Sequence, residues 1–209
     1  MTFKTILVSI PAFALIALSS ASANTVTATT LKLTAYQLWA STDATNCSNP
    51  VKVIDNGTSG KEVDIAQSTD FGSATLPPDG TYTCLIAVVD DRYTIIPAIT
   101  GDGSGQANTN CHSGVTYTQD TCASGTFTLP DGTSTTCSSG TKDKIAAYIS
   151  TAGADGNDGQ DAAHAKKLNS SITVSGGSVD VTLYVTNPHG LVDQSGSCGQ
   201  DASAVLGVR

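Results

Sequence analysis

The densest group of ligand-forming side chains is Asp155-Gly156-Asn157-Asp158-Gly159-Gln160-Asp161. Calcium takes about six to eight oxygen ligands, and a short loop of carboxylates and glycines is able to wrap it. Asp155, Asn157, Asp158 and Asp161 are the ligands this chemistry selects. The order is not that of an EF-hand, because Gly159 stands where a ligand is required and no glutamate follows. A polar loop without metal is therefore the plainer reading, and calcium is the one cofactor the sequence suggests. A second acidic pair, Asp90-Asp91, follows the most apolar segment of the chain. Two carboxylates facing one bond would serve glycoside hydrolysis. Neighbours in a strand point to opposite faces, however, so this pair reads as a solvated strand end. His112, His164 and His189 lie far apart beside unlike neighbours, and they read as surface histidines rather than zinc ligands.

Motifs that would name a reaction are absent. Ser104 lies in a glycine-rich string, but Asp102 occupies the position where a nucleophile elbow needs glycine. No H-E-x-x-H, P-loop or dinucleotide-binding pattern occurs. No catalytic or cofactor-binding residue is assigned, and the expectation is a protein that is not an enzyme.

Six cysteines, Cys47, Cys84, Cys111, Cys122, Cys137 and Cys198, all lie beyond the N-terminal segment. No C-x-x-C spacing exists, which argues against a zinc knuckle or a redox pair. An even count in a secreted chain reads as up to three disulfides, although spacing alone does not choose among the connectivities. Cys122 and Cys137 flank the turn Leu129-Pro130-Asp131-Gly132 and are expected to face each other across a hairpin. Closing a loop of that size is worth about 3 kcal/mol in the chain-entropy model. Cys47 with Cys84 is the next pairing, which leaves Cys111 with Cys198.

The oxidising compartment is argued from the N-terminus. Lys4 precedes an apolar run over residues 6–18, and small residues follow up to Ala21-Ser22-Ala23. This is the order of a secretory signal peptide over residues 1–23, and the run is shorter than the roughly 20 residues of a spanning helix. The mature protein would be a single domain over residues 24–209, not integral to a membrane, and secreted, at the cell surface or in a periplasm. Formal net charge is −8, and the basic residues are scattered. A nucleic acid or an anionic surface would be repelled. Asn46-Cys47-Ser48, Asn56-Gly57-Thr58 and Asn169-Ser170-Ser171 match glycosylation sequons, which matter only in a host with that machinery.

The elements that must position these groups are strands. Charged residues make up only 13% of the chain and Glu62 is its one glutamate, a composition poor in helix formers. Leu31, Leu33 and Ala35 alternate with Lys32, Thr34 and Tyr36, the period of a half-buried strand. Strands are also expected at 51–54, 62–66 and 81–89, the last apolar on both faces and hence central. Others follow at 93–99, near an edge because of Pro97, and at 115–118, 126–129, 145–150 and 204–208. Residues 172–174 and 179–185 are read as a hairpin. Long loops are expected at about 100–114 and 151–160. Asp161 is read as the cap of a short helix through Leu168, with Lys166 and Lys167 at its C-terminal end.

Ser68-Thr69-Asp70-Phe71-Gly72 and then Leu76-Pro77-Pro78-Asp79-Gly80-Thr81-Tyr82-Thr83 resemble the signature of prealbumin-like, carboxypeptidase-regulatory-like modules. Asp79 is inserted relative to that pattern, and the resemblance covers only residues 51–89. It implies an all-β, antiparallel Ig-like sandwich, here with a cysteine-rich loop insertion and at most one short helix. It implies a surface or accessory role and supplies no catalytic residues. The leading expectation is a secreted binding protein with a protein or carbohydrate partner. One alternative is a structural subunit of an extracellular polymer, self-assembling through residues 24–33 as a strand that completes a neighbour's sheet, although a strand that pairs within its own domain is the plainer reading. Another is a secreted hydrolase that uses aspartates.

Overall fold

A computed structural model describes residues 25–26, 28–66, 71–72, 75, 77–98, 112–122, 124–154, 157, 159–176, 183–185, 191–194, 197–200 and 206–208. All regular structure in them is β, and no helix long and apolar enough to cross a membrane is present among them. In chain order the strands are β1 (Thr25–Val26), β2 (Ala28–Ser41), β3 (Val51–Asp55), β4 (Lys61–Asp64), β5 (Gly80–Tyr82), β6 (Cys84–Asp90), β7 (Arg92–Pro97), β8 (Tyr117–Asp120) and β9 (Ser124–Thr128). They continue with β10 (Ser134–Ser138), β11 (Lys144–Ser150), β12 (Lys166–Lys167), β13 (Ile172–Val174), β14 (Leu183–Val185), β15 (Leu191–Gln194), β16 (Ser197–Gln200) and β17 (Leu206–Val208).

The spine is β2, a strand of 14 residues. Ala35 pairs with both Val89 and Lys61, while Lys32 pairs with both Thr94 and Asp64. Strands β6 and β7 therefore share one edge of β2, and β3 and β4 share the other. Each flank is in effect one long antiparallel strand with a break in it. Outside the β6–β7 flank, β11 pairs along β6 and β8 pairs along β7. With β12 added in parallel beside Ile149 and Ser150, this makes a curled eight-stranded sheet.

Every residue of β6 is buried, as its uninterrupted apolar run requires of a strand covered on both faces. On one face Leu85, Ala87 and Val89 join Leu31, Ala35, Leu38, Val63, Tyr93 and Ile95 in the main core. On the other, Cys84, Ile86 and Val88 form a smaller cluster with Cys47, Leu129 and Ala146. Strand β7 alternates half-buried and buried side chains and lies between β2 and β8 rather than at an edge. Pro97 sits at its last position, where a missing N–H interrupts no ladder.

Two disulfides fix the cover over the smaller cluster. Cys47–Cys84, with Cα atoms 5.5 Å apart, pins the 42–50 loop onto β6. Asp43 organises that loop by accepting from the backbone of Thr45 and Asn46 and from the Ser48 hydroxyl. These donors, Ser48 first, lower its carboxyl to about 2. Cys122–Cys137 ties the base of the β9–β10 hairpin, as the symmetric spacing about its turn leads one to expect. Cys111 lies outside the described residues, and with it the third pairing. Two disulfides fit an oxidising, extracytoplasmic setting.

A further expectation changes. Residues 161–168 do not form a helix. Asp161 accepts from the backbone N–H of His164, as a cap would, but after that one turn Lys166–Lys167 becomes a strand. The edge of β11 offers the chain a ladder that a short, isolated helix does not. Strand β13 pairs with β5, and β14 pairs with β17; the intervening residues of the expected hairpin, 177–182, lie outside the described set. The N-terminal segment is paired within its own chain, as the plainer reading of it expects, Thr25–Val26 with β15 and Ala28–Ser41 in the main sheet. The segment 1–23 and the motif residues 68–70 and 76 lie outside the described residues.

Replacing Cys47 and Cys84 together by alanine releases a 37-residue separation. The loss expected in urea unfolding is about 4 kcal/mol. Gly153 gives a second expectation: a Cβ there would stand 2.3 Å from the Lys166 carbonyl oxygen and 2.5 Å from that of Ala165. Gly153→Ala is expected to separate β12 from β11, read as faster amide exchange at Leu168, whose N–H donates to Ser150.

Candidate functional site

The calcium reading meets a loop of which only part is described. Asp155 and Asp158 lie outside the described residues. The Asn157 amide donates to the Ala165 carbonyl at 2.9 Å, and the Lys166 ammonium donates to the Asn157 carbonyl at 2.9 Å. Asp161 holds His164 through its backbone N–H at 2.8 Å, and the His164 ring lies 2.9 Å away. Asn157 and Asp161 are thus each engaged with residues 164–166, and no cluster of three or more histidine, cysteine, aspartate or glutamate side chains suited to a metal occurs among the described residues. His112 and His164 are exposed; His189 lies outside the described residues.

Asp90 and Asp91 do diverge, but they are not solvated. Asp90 is 4% exposed and Asp91 is 0% exposed. The break between β6 and β7 buries them, because β8 and β11 both end there. On the outer face, Asp90 accepts from the Tyr36 hydroxyl at 2.7 Å and lies 3.6 Å from the Lys142 ammonium. Burial, and then the Asp90 hydrogen bond, raise the Tyr36 pKa. The Lys144 ammonium covers the Tyr36 ring at 4.0 Å.

Asp91 gathers three chain segments. Its N–H donates to the Asp143 carbonyl at 2.8 Å, and its carbonyl accepts from the Thr121 N–H at 2.7 Å and hydroxyl at 3.0 Å. Its carboxylate Oδ1 accepts from the Asp143 N–H at 2.8 Å, while Oδ2 is buried without a partner. Burial, with Asp120 and Asp143 adding repulsion, raises the Asp91 pKa. Beside it Arg92 clamps Asp120 through Nε at 2.7 Å and Nη2 at 3.0 Å, which lowers the Asp120 pKa. Asp120 also accepts the Gly140 N–H at 2.7 Å. Thr121 and Asp143 are the two feet of the excursion that carries the β9–β10 hairpin. A sealed Asp91 is a structural anchor for that hairpin rather than half of a carboxylate pair open to substrate.

The anchored hairpin folds back over the sheet, with Leu129 at its tip buried in the smaller cluster. Between it and β11 lies a groove of about 570 Å³. One wall is β9 with Cys122, the other is the β11 segment from Ile145 to Tyr148, and Gly159, Gln160 and Asp161 close the end. The rings of Phe127 and Tyr148 and the hydroxyls of Thr121, Ser124, Thr126 and Thr128 line it. Asp161 is its one charged lining residue among the described residues. Burial, and then the nearby Asp161 charge, raise the Tyr148 pKa. Such a concave mixture of aromatic faces and hydroxyls suits ligand binding. Of these residues sequence reasoning selected only Asp161, and for a different chemistry. Phe127 and Tyr148 lie in separate strands that read as ordinary, and no spacing in the sequence joins them.

The raised Asp91 pKa has a signed consequence. A carboxyl whose folded pKa lies above its unfolded value contributes stability that is full below about pH 4 and is lost as pH rises through the folded pKa. Asp91→Asn keeps an acceptor for the Asp143 N–H and removes the buried charge. The variant is expected to gain about 1 to 3 kcal/mol over the parent at pH 7 in urea unfolding, and less at pH 4. An equal difference at both pH values would contradict the assignment. No protein-family model, curated protein or solved structure matches this chain.

Proposed function

We propose that this chain is a secreted or cell-surface binding protein and that the groove between β9 and β11 is where its partner docks. The groove is the observation that carries the reading. It is built on strands, its hairpin wall is held by a disulfide and by the Asp91 junction, and its lining combines two aromatic rings with hydroxyls. Rigid support of this kind holds a site ready for its ligand and limits the ordering cost of binding. Export is supported by the signal-like residues 1–23 and by the two disulfides.

A prealbumin-like, Ig-like sandwich is the finer fold reading that goes with this role. Two observations favour it: the all-β architecture and the hydrogen bond from the Tyr82 hydroxyl to the Pro78 carbonyl at 2.7 Å, within the motif segment. A tyrosine bonding back to the chain just upstream is a recurrent corner in Ig-like sandwiches. The polymer-subunit alternative is not favoured, since the segment meant to complete a neighbour is paired at home.

Arrays of glycans and of extracellular proteins, probed with the oxidised secreted chain, test the reading. Retention on at least one ligand is expected, with Tyr148→Ala and Phe127→Ala each weakening it about tenfold or more, near 1.4 kcal/mol. Thermal unfolding should change little beside that loss, because both side chains are only half-buried. Absence of retention on every array, with the protein shown to be folded, would sink it.

A further inference from the structure

The groove between β9 and β11 carries one sign of charge. Asp161 supplies it, and no lysine, arginine or histidine lines the groove among the described residues. Backbone bonds bring that carboxylate to Tyr148. The Tyr148 N–H donates to the Gly159 carbonyl at 2.8 Å, and the Gly159 N–H donates to the His164 carbonyl at 2.9 Å. The His164 N–H then donates to Asp161 Oδ1 at 2.8 Å, and the His164 ring meets the same oxygen at 2.9 Å. The side chain is held in place by these bonds, yet it remains 57% exposed. The bond from the His164 N–H, above all, keeps the Asp161 carboxyl below its usual range, so it is ionised at neutral pH. Its charge also reaches Tyr148, whose pKa is raised by burial and then by Asp161. On the facing wall the Phe127 ring lies beside Gly125, where a Cβ would stand 3.6 Å from the ring's Cε2 atom. Two half-buried rings from opposite walls and one fixed carboxylate thus line one slot.

Resting on the reading of this groove as a binding site, we infer that it takes an alkylammonium group, carried by a small organic cation or by a lysine side chain. The faces of aromatic rings attract cations, and the attraction grows when the cation is desolvated. A carboxylate beside the rings adds charge complementarity, and the chain's net charge of −8 favours the encounter. The hydroxyls of Ser124, Thr126 and Thr128 add oxygen lone pairs on the β9 wall. Other occupants match the lining less completely. An anion would meet Asp161 without a lining cation to hold it. An apolar ligand would take the hydroxyls out of water without giving them partners. A neutral sugar would bond the hydroxyls and stack on the rings, but it would leave the carboxylate charge uncompensated.

The test titrates the full oxidised chain with small probes, followed by calorimetry and by shifts of the Tyr148 and Phe127 ring resonances. Choline stands for a small organic cation, and the amide of Nα-acetyl-lysine stands for a lysine side chain. The control is the neutral alcohol in which carbon replaces the choline nitrogen, a ligand of the same shape without the charge. At least one ammonium probe is expected to bind with a Kd of about 1 mM or lower, and the tighter of the two identifies the source. Choline should bind at least about tenfold more tightly than its neutral isostere if it is that source, and the lysine amide should do the same against its Nε-acetylated form if it is the other. Asp161→Asn keeps an acceptor for the His164 N–H, removes the charge and should weaken binding about tenfold. The loss at Tyr148→Leu should exceed that at Tyr148→Phe, which keeps the ring face. The charged and neutral probes need no variant, so they decide the matter even if a substituted chain does not fold. Equal binding of charged and neutral probes, or no binding of either ammonium probe, overturns the inference. That failure together with an array ligand whose retention depends on Tyr148 leaves the binding-protein reading standing. Failure of the probes and of every array overturns both.

Discussion

The outer half of the molecule depends on the break in the β6–β7 flank at Asp91. One residue there holds the first foot of the β9–β10 excursion through its carbonyl and the second through its amide and carboxylate. Placing a carboxylate at a position with no solvent exposure is costly, and the cost is only partly offset because Oδ2 has no partner. A neutral carboxyl lowers that cost, which is the physical sense of its raised pKa. The adjacent Arg92–Asp120 clamp supplies a second, charge-assisted tie within the same junction.

From that anchor the geometry of the groove follows. The excursion leaves the sheet after β8 and returns at the start of β11, so the hairpin must stand beside β11. Near its return, the Thr135 hydroxyl donates to the Lys144 carbonyl and holds β10 close. Farther along, the Cys122–Cys137 bond and the buried Leu129 tie the hairpin to itself and to the outer face of the sheet rather than to the strand edge. Between Lys144 and Tyr148 the outer edge of β11 is therefore approached by the hairpin without a ladder among the described residues. Open edges are normally covered or charged to prevent unwanted association. Here the approach of β9 narrows access to a slot.

Local pattern was legible wherever it followed from a short stretch of chain. The fully buried β6 was visible in Leu85-Ile86-Ala87-Val88-Val89, because both faces of a central strand are apolar. The Cys122–Cys137 hairpin was visible in the symmetric flanking of its turn. The 161–168 segment misled for the opposite reason. Its capping signal is real, since Asp161 bonds to the His164 N–H, but a strand edge distant in sequence competed for the residues that followed. Asp90 and Asp91 looked like a solvated end because nothing nearby in sequence announces that β8 and β11 converge on them.

By itself, then, the sequence determined that the chain would be mostly β, poor in helix formers and stapled by up to three disulfides, since composition, alternation and loop spacing act over short distances. Only the tertiary structure decided that β2 is flanked by two broken strands, that Asp91 is sealed between the ends of two others, and that Phe127, Tyr148 and Asp161 line one groove. Those juxtapositions join residues from separate strands. Which strands become neighbours is settled by burial of apolar side chains over the sheet as a whole, a global quantity that no short window of sequence contains.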